Sequence, residues 1–431
     1  MSAPGRSEPG WLKNGLDHVW LPYAQMKTAT PPLPVASSQG VRLTLSDGRV
    51  LIDGVASWWT ACHGYNHPHI AEAVRAQLAR MPHVMMGGLA HEQAYRLASR
   101  LAALLPGDLE RVFFTESGSV SVEVAMKMAV QFWMNRGVPG RTKILSFRGG
   151  YHGDTFATMA VCDPQEGMHA KFAGVLAPQI IADLPRADAE LTALRALVEA
   201  HAHELAAILV EPRVQGAGGM VFHGDDVLRH LRQLADDYGL LLIFDEIFTG
   251  FGRTGALFAC TDAGVTPDIV TLSKALTGGT SPLAATVARR HVFEAFWSDD
   301  PDRALMHGPT FMGHALACAA ANASLDLFET EPRMAQVARI AARLEEGLAP
   351  CRALAGVRDV RVMGAIGVVE LEALPQGLQK TLQAAFLEKG VWIRPFRNIV
   401  YLTPAFVIGD GELDQLTGAV VDVLDKALRG A

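Results

Sequence analysis

The sequence lacks the features that mark secreted, membrane-embedded and nucleic-acid-binding proteins. Only five of its 431 residues are cysteines, and none of them forms a Cys-x-x-Cys pair. This usage argues against a disulfide framework or a zinc site and favours a reducing compartment, which we expect to be the cytoplasm. No segment offers about 18 uninterrupted apolar residues, and residues 1–10 lack an apolar signal-peptide core, so we expect neither a membrane span nor secretion. A net charge of −7 without any Lys/Arg run disfavours nucleic acid as a partner.

The composition is that of a large, well-packed globular protein. Hydrophobic residues make up 49% of the chain and charged residues 19%, and 431 residues suffice for more than one domain. Strand and helix patterns alternate through the middle of the chain, and this pattern changes beyond residue 331. We therefore predict an α/β protein with a large domain at residues 61–330 and a small α+β domain at residues 331–431. Residues 1–60, which include a predicted hairpin, are expected to contribute to the small domain.

The most informative stretch is residues 240–274, in which one predicted strand ends in an acid and the next in a lysine. An apolar run leads into Asp245 and Glu246, and a second strand leads into Ser273 and Lys274. Open α/β sheets bind ligands at the carboxyl ends of their strands, so both groups are expected at the binding edge. A desolvated lysine is nucleophilic, and a carboxylate can pair with a cationic ring nitrogen. The two residues together outline a site for pyridoxal phosphate (PLP), with Lys274 as the Schiff-base lysine.

Each of these groups also has an ordinary structural interpretation. An aspartate at a strand end is usually a helix cap or turn residue, and a lysine is usually a solvated surface group. The pair therefore gains weight only from the motifs around it. A run containing His63, His67 and His69 is faintly typical of a metal site, but Gly64 and Pro68 prevent one helix from carrying all three. We favour capping and packing for these histidines and expect no metal.

Three loops supply groups that suit a flat, phosphorylated cofactor. The strand-to-helix junction at Ser117 and Gly118 presents free amides and a helix N-terminus, which suit a phosphate, although an ordinary serine N-cap is the alternative. The junction lacks the Gly-x-x-x-x-Gly-Lys-Ser/Thr pattern, so a nucleoside-triphosphate site is unsupported. Glycines beside Tyr151 allow its ring to approach a flat ligand, and Gln215 can donate to a phenolate oxygen.

These motifs give the chain a resemblance to a known family. Residues 244–255 (FDEIFTGFGRTG) and 271–279 (TLSKALTGG) resemble the matching runs of class III, fold-type I PLP-dependent aminotransferases, and the likeness extends over nearly the full length. The resemblance implies a large domain with a mostly parallel seven-stranded sheet, a small α+β domain and a homodimer. Phe248 is bulkier than the small residue expected after Ile247, which bears on substrate preference rather than on the chemistry.

The resemblance also implies roles for individual residues. Lys274 would form the Schiff base with PLP and later move the proton, and Asp245 would keep the pyridine nitrogen protonated. Ile247 and Tyr151 would lie on the two sides of the ring. The other implied cofactor contacts are Ser117 and Gly118 for the phosphate, Gln215 for the ring oxygen, and Thr310 for the phosphate bound by the other subunit. The implied substrate-binding residues are Tyr23, Trp58, Trp59, Tyr151, Gly308, Arg394 and Tyr401. Tyr23 is also an implied catalytic residue.

Two further implications concern charged residues. Arg394 would hold the carboxylate of the keto acid, because a guanidinium fork fits a carboxylate. Asp154 and Arg253 would pair and hold the loops of the site. The role of Glu211 stays open.

A second set of runs is shared by far fewer members of the family. Residues 20–23 (WLPY), 57–59 (SWW), 307–312 (HGPTFM) and 394–396 (RPF), with Tyr401, resemble the members that convert 8-amino-7-oxononanoate to 7,8-diaminononanoate in biotin synthesis. The usual amino donor of those members is S-adenosylmethionine, whose sulfonium could lie against aromatic faces, and lysine is the alternative donor.

Three other functions stay open at this point. One is a different class III activity, such as an ω-amino acid or amine transaminase or an aminomutase, which would not need the two tryptophans with Arg394 and Tyr401. Another is a PLP-binding protein without turnover, against which the intact Asp245 and Lys274 argue. A nucleotide-binding module is the weakest of the three, because no complete motif supports it.

Overall fold

Strands and helices alternate through most of the chain. The computed structural model describes residues 9–164, 170–172, 174–373 and 377–429. The strands are β1 (Val35–Gln39), β2 (Arg42–Leu45), β3 (Val50–Asp53), β4 (Leu109–Thr115), β5 (Lys143–Phe147), β6 (Ile180–Ala182), β7 (Leu205–Val210), β8 (Val214–Gln215), β9 (Val221–Phe222), β10 (Leu241–Asp245), β11 (Ile269–Leu272), β12 (Ala284–Arg289), β13 (Val357–Met363), β14 (Ile366–Leu371), β15 (Val391–Trp392) and β16 (Ile399–Leu402). The helices are α1 (Gly10–Gly15), α2 (Ala56–Trp59), α3 (Pro68–Arg80), α4 (Glu92–Leu104), α5 (Gly118–Asn135), α6 (Phe156–Ala160), α7 (Asp188–His201), α8 (Asp225–Asp237), α9 (Ala259–Ala263), α10 (Arg290–Glu294), α11 (Ala315–Thr330), α12 (Arg333–Leu348), α13 (Leu378–Glu388) and α14 (Asp410–Arg429).

The central sheet has the strand order β4-β12-β11-β10-β7-β5-β6. The strands from β11 to β6 are mutually parallel, whereas β12 runs antiparallel to both of its neighbours. Every residue of β7, β10 and β11 is buried, which explains why these strands appear in the sequence as short continuous apolar runs. The predicted α/β fold with a mostly parallel seven-stranded sheet is confirmed.

Helices cover both faces of this sheet. α5 packs against β11 and β12, and its apolar side chains share a cluster with Leu209 and Ile243. Successive strand residues point to opposite faces, so Leu242 and Phe244 join the larger cluster with α8 on the other side. This packing fixes the register in which β10 and β11 deliver their last residues to one edge of the sheet.

Two smaller sheets flank the large one. The predicted hairpin forms as β2 and β3, which pair antiparallel, and β15 adds to it in parallel through the pairing of Val391 with Ile52. β13, β14 and β16 form an antiparallel sheet against which α12 packs. The N-terminal hairpin therefore shares a sheet with a strand from the far end of the chain, and the domain limits at residues 60 and 330 stay a prediction.

Among the helices of the described ranges, none combines the length and the apolar character needed to cross a membrane.

Candidate active site

Lys274 lies just beyond β11, where the chain leaves the sheet. Its backbone has a φ of +45°, and its amine lies 4.6 Å from the centroid of the Trp59 ring and 6.0 Å from that of Phe248. Within the described residues this amine makes no hydrogen bond or ion pair. Burial lowers the pKa of Lys274, and the charges of Asp245 and Glu211 oppose this effect. An amine in these surroundings deprotonates more readily than a surface lysine and is available as a nucleophile.

Asp245 is a buried carboxylate held in one orientation. The parallel register of β10 and β11 places it beside Thr271. Its Oδ1 accepts the amide of Ile247 at 3.1 Å and the Thr271 hydroxyl at 3.3 Å, and its Oδ2 lies 2.8 Å from Nδ1 of His152. A fixed acidic group at the floor of a cavity is suited to hold a cationic ring nitrogen.

His152 is a site residue to which the sequence interpretation assigned no role. The residue is 3% exposed, and its side chain reaches Asp245 from the loop that follows β5. Its position directly after Tyr151 in a glycine-rich loop was the one available signal. The second acceptor oxygen of Asp245 is thereby engaged within the protein.

The N-terminus of α5 closes one end of the cavity. A Cβ on Gly118 would lie 3.0 Å from Cδ1 of Ile247, so this position tolerates no side chain without displacement of Ile247. A Cβ on Gly153 would lie 2.3 Å from Oγ of Ser119, and the same Oγ accepts the amide of Asp154 at 3.1 Å. The loop after β5 is therefore seated directly on the first turn of an 18-residue helix, whose free amides and dipole suit a phosphate.

These groups surround a cavity of about 600 Å³. The sequence-predicted site residues that line it are Tyr23, Trp58, Trp59, Gly118, Tyr151, Asp245, Ile247, Lys274, Arg394 and Tyr401. Glu211, Phe248 and Arg397 line it as well. Segments far apart in the sequence thus converge on the edge of the sheet at which β10 and β11 end.

The aromatic side of the cavity is organised by close contacts. The guanidinium of Arg394 lies 5.0 Å from the centroid of the Trp58 ring. The Trp59 ring lies 4.4 Å from the Phe248 ring and 6.3 Å from the Tyr401 ring. The bulk of Phe248 therefore fills space against Trp59 and narrows the cavity near Lys274.

Two tyrosines and a carboxylate form a hydrogen-bonded group at the mouth of the cavity. The Tyr23 hydroxyl donates to Asp154 and lies 3.0 Å from the Tyr151 hydroxyl. Burial and the hydrogen bond to Asp154 raise the pKa of Tyr23 to about 12. Burial and the hydrogen bond with Tyr23 raise the pKa of Tyr151 as well, so both hydroxyls stay protonated at neutral pH.

Glu211 is a buried acid with two backbone donors. Its carboxyl oxygens accept the amides of Tyr151 at 3.0 Å and Gly216 at 2.9 Å. Burial raises the pKa of Glu211 to about 7, and the charge of Asp245 adds to this rise while His152 opposes it.

Four predicted cofactor or substrate residues do not line this cavity. The Nε2 of Gln215 donates to the Arg148 carbonyl at 2.8 Å and the side chain lies beside Gly149, so its contact with the ring oxygen stays a prediction. The Ser117 hydroxyl is likewise engaged, as the N-cap of α5. Gly308 and Thr310 are exposed and outside the cavity of their own chain.

The predicted pairing of Arg253 with Asp154 is corrected. Arg253 is 1% exposed and donates to the carbonyls of Ala365 at 3.2 Å and Pro404 at 2.9 Å. Its guanidinium lies against the Phe406 ring, at 4.7 Å from the centroid. Arg253 therefore joins the loop after β10 to the C-terminal part of the chain. Among the described residues, no group of three or more His, Cys, Asp or Glu side chains is arranged to hold a metal ion.

Comparison with known proteins identifies the family to which these features belong. The model of the family described as aminotransferase class III matches residues 23–424 of the chain. The chain belongs to the class III aminotransferases. The adenosylmethionine-8-amino-7-oxononanoate aminotransferase of Mycobacterium leprae is 46% identical, and the alignment covers 94% of this chain and 94% of the relative. The enzyme of the same name from Corynebacterium glutamicum is 45% identical over 94% of this chain and 96% of its own.

Solved structures of class III aminotransferases share the fold. The adenosylmethionine-8-amino-7-oxononanoate aminotransferase of Methanocaldococcus jannaschii is 32% identical with a TM-score of 0.92, over 98% of this chain and 99% of that one. An amine transaminase of an uncultivated Pseudomonas species, solved in a PLP-bound form, is 32% identical with a TM-score of 0.87, over 96% and 98% of the two chains. The family resemblance is confirmed. Since relatives with different names share one fold, substrate choice must depend on the cavity residues of each class III aminotransferase.

Proposed function

We propose that this chain is a PLP-dependent aminotransferase that converts 8-amino-7-oxononanoate to 7,8-diaminononanoate in biotin synthesis, with S-adenosylmethionine as the amino donor. The observation that carries the proposal is one cavity that presents three groups: the amine of Lys274, without hydrogen bond or ion pair among the described residues, the buried carboxylate of Asp245, and Arg394 against the Trp58 ring. The names of the relatives at 45% and 46% identity support the acceptor.

The residues present fit PLP. Lys274 offers the amine for a covalent link, and Asp245 offers a carboxylate for the ring nitrogen. The first amides of α5 suit the phosphate. Gly118 leaves this end of the helix without a side chain, and a Cβ there would press on Ile247. When bound, PLP supplies an electron sink that stabilises negative charge on the carbon that carries the substrate's amino group.

The side chains of the protein then have distinct tasks. The amine of Lys274, with its lowered pKa, takes the proton from the substrate carbon and returns it. Ile247, Thr271 and His152 hold the Asp245 carboxylate in one orientation, in which it would meet the ring nitrogen. Arg394 binds the carboxylate of each substrate in turn, so donor and acceptor use the same cavity one after the other.

The aromatic walls exclude water from the reacting groups. Trp59, Phe248 and Tyr401 pack on one another beside Lys274. The Trp58 ring covers the Arg394 guanidinium and is also placed to meet a sulfonium through its π face. Exclusion of water strengthens the charge interactions on which the reaction depends.

A homodimer is part of the proposal. Thr310 is exposed, and it belongs to a loop on which Met306 and Phe311 are 76% and 53% exposed. Exposed apolar side chains of this size in one loop suit burial against a second copy, in which Thr310 would reach the partner's phosphate site. We expect light scattering of the active protein to give the mass of two chains, and a single-chain mass would contradict this assembly. We also place the enzyme in the cytoplasm, since all five of its cysteines are free and buried.

The decisive experiment follows the visible absorption of the PLP-loaded protein. We expect S-adenosylmethionine to remove the band of the lysine-bound cofactor and 8-amino-7-oxononanoate to restore it. If lysine removes the band and S-adenosylmethionine does not, the acceptor stands and the donor changes. If neither acts on protein that visibly holds PLP, the biotin assignment fails, and the ω-amino acid and amine transaminase activities become the functions to screen.

A further inference from the structure

The tryptophans of the cavity stand on an unusual piece of backbone. Ala56, Ser57, Trp58 and Trp59 have φ angles of 45°, 48°, 54° and 75°, and none of them is glycine. The left-handed conformation brings a Cβ close to the backbone, so residues with side chains adopt it singly rather than in runs. A run of four such residues persists only if its surroundings hold it. Residues 56–59 are the segment given above as α2, and because of this backbone we name them the left-handed turn.

The carboxylate of Asp53 accepts hydrogen bonds from the backbone at the start of this turn. Asp53 is 2% exposed at the end of β3, its Oδ1 accepts the amide of Val55 at 2.8 Å, and its Oδ2 accepts the amide of Ser57 at 3.0 Å. The Tyr65 hydroxyl donates to the same Oδ2. Because the single phenolic proton is used in that bond, the Ser57 hydroxyl, 2.6 Å from the Tyr65 oxygen, must be the donor between the two.

The turn determines the positions of the Trp58 and Trp59 rings in the cavity. Trp59 is placed 4.6 Å from the amine of Lys274, and Trp58 lies 5.0 Å from the guanidinium of Arg394. Thr60, the residue after the turn, abuts the lysine loop directly, since a Cβ on Gly279 would lie 2.9 Å from its Oγ1. A right-handed turn would aim both indole side chains in other directions, away from the amine and the guanidinium.

We propose that Asp53 and Tyr65 are positioning residues of the active site, which act by holding the left-handed turn that carries Trp58 and Trp59. Neither Asp53 nor Tyr65 lines the cavity, so they act through the tryptophans. The inference rests on the proposed function for its kinetic readout. Its structural readout is the amide exchange of the turn, which does not depend on the substrate. The proposed function and this inference can therefore fail separately.

The first variant is Tyr65→Phe, which keeps the ring and removes the hydroxyl bonded to Asp53 and Ser57. We expect kcat/KM for 8-amino-7-oxononanoate to fall about tenfold, mainly through KM, because the loss of one hydrogen bond to a charged group loosens the wall behind Arg394. In the cofactor-free protein, hydrogen exchange of the Val55 and Ser57 amides should accelerate by about the same factor. Tyr238→Phe, at a partly buried tyrosine outside the cavity, is the matched control and should change neither quantity.

A second variant separates positioning from general support of the fold. Glycine adopts the left-handed conformation without strain, so Ser57→Gly reduces the need for a residue that holds the turn. The double variant Tyr65→Phe, Ser57→Gly should therefore recover part of the kcat/KM that Tyr65→Phe loses. Asp53→Asn, which turns one acceptor oxygen into a donor, should lower kcat/KM further than Tyr65→Phe.

Three results would overturn the inference. They are unchanged amide exchange at Val55 and Ser57 in Tyr65→Phe, a lower unfolding temperature with an unchanged KM, and a double variant as impaired as the single one. If the wild-type protein shows no activity with 8-amino-7-oxononanoate, the proposed function fails. The amide exchange of the turn, and the KM of whichever amine acceptor the enzyme takes, then decide the inference.

Discussion

Glu211 should make the stability of the folded protein depend on pH in a direction opposite to that of most carboxyl groups. Its pKa rises from 4.5 to about 7 on folding, chiefly because the group is buried. Below pH 4.5 the carboxyl is protonated in both the folded and the unfolded chain. Between pH 4.5 and 7 the folded protein keeps a proton that the unfolded chain has released, so the folded state loses stability as pH rises.

The magnitude follows from the size of this shift. A pKa change from 4.5 to about 7 corresponds to roughly 3 kcal/mol of stability present at low pH and lost as pH rises through 7, at about 1.4 kcal/mol per unit. Because Glu211 is only 5% exposed, solvent screening reduces this figure little. Glu211→Gln should remove the pH-dependent contribution and also turn one oxygen that accepts an amide into a donor, at a cost of about 1–3 kcal/mol.

Urea unfolding of the cofactor-free protein between pH 5 and 8 tests this reasoning. The wild type should be clearly more stable than Glu211→Gln at pH 5, and the difference should shrink or reverse by pH 8. Glu388→Gln, at an exposed position of α13, is the matched control and should parallel the wild type. A constant difference between wild type and Glu211→Gln across the range would show that Glu211 does not titrate near neutrality and would refute the argument.

Three further variants test the candidate site. Asp245→Asn preserves the shape of the side chain but removes its charge, so kcat should fall by about a hundredfold or more while PLP still binds, as measured by turnover and absorption. Trp58→Ala removes the ring against Arg394 and should raise KM for the keto acid about tenfold, whereas kcat should change less; equal losses in both would indicate a different role. Gly118→Ala forces Ile247 to move from a 3.0 Å approach and should weaken PLP binding in a titration of the cofactor-free protein, with little change in its unfolding temperature.

The parts of the site that the sequence predicted well are those set by local pattern. Asp245 and Lys274 follow buried apolar strands, and strand ends in a parallel sheet meet at one edge, so their proximity followed from the sequence. The N-cap role of Ser117 depends only on the first turn of α5, so a local sequence pattern is enough to predict it. The resemblance to class III aminotransferases added Tyr23 and Arg394, which no local pattern joins to Lys274.

The parts that were missed depend on contacts between distant segments. The hydrogen bond of Gln215 to the Arg148 carbonyl joins β8 to the loop after β5, a contact that no local sequence pattern indicates. Arg253 meets carbonyls contributed from beyond residue 360, so its partners could not be inferred from its loop. The left-handed run at residues 56–59 contains no glycine, asparagine or aspartate, the residues that most often adopt positive φ.

The parallel pairing of β15 with β3 has a consequence for biosynthesis on the ribosome. β3 leads directly into the turn that carries Trp58, yet its partner at Val391 is made only after almost all of the chain has been translated. The sheet that supports this wall of the active site therefore closes late, and pairing over such a sequence separation is slow. Nascent chains that stop before Val391 would expose β3 as an unpaired edge, which makes incomplete products candidates for aggregation and for quality-control degradation.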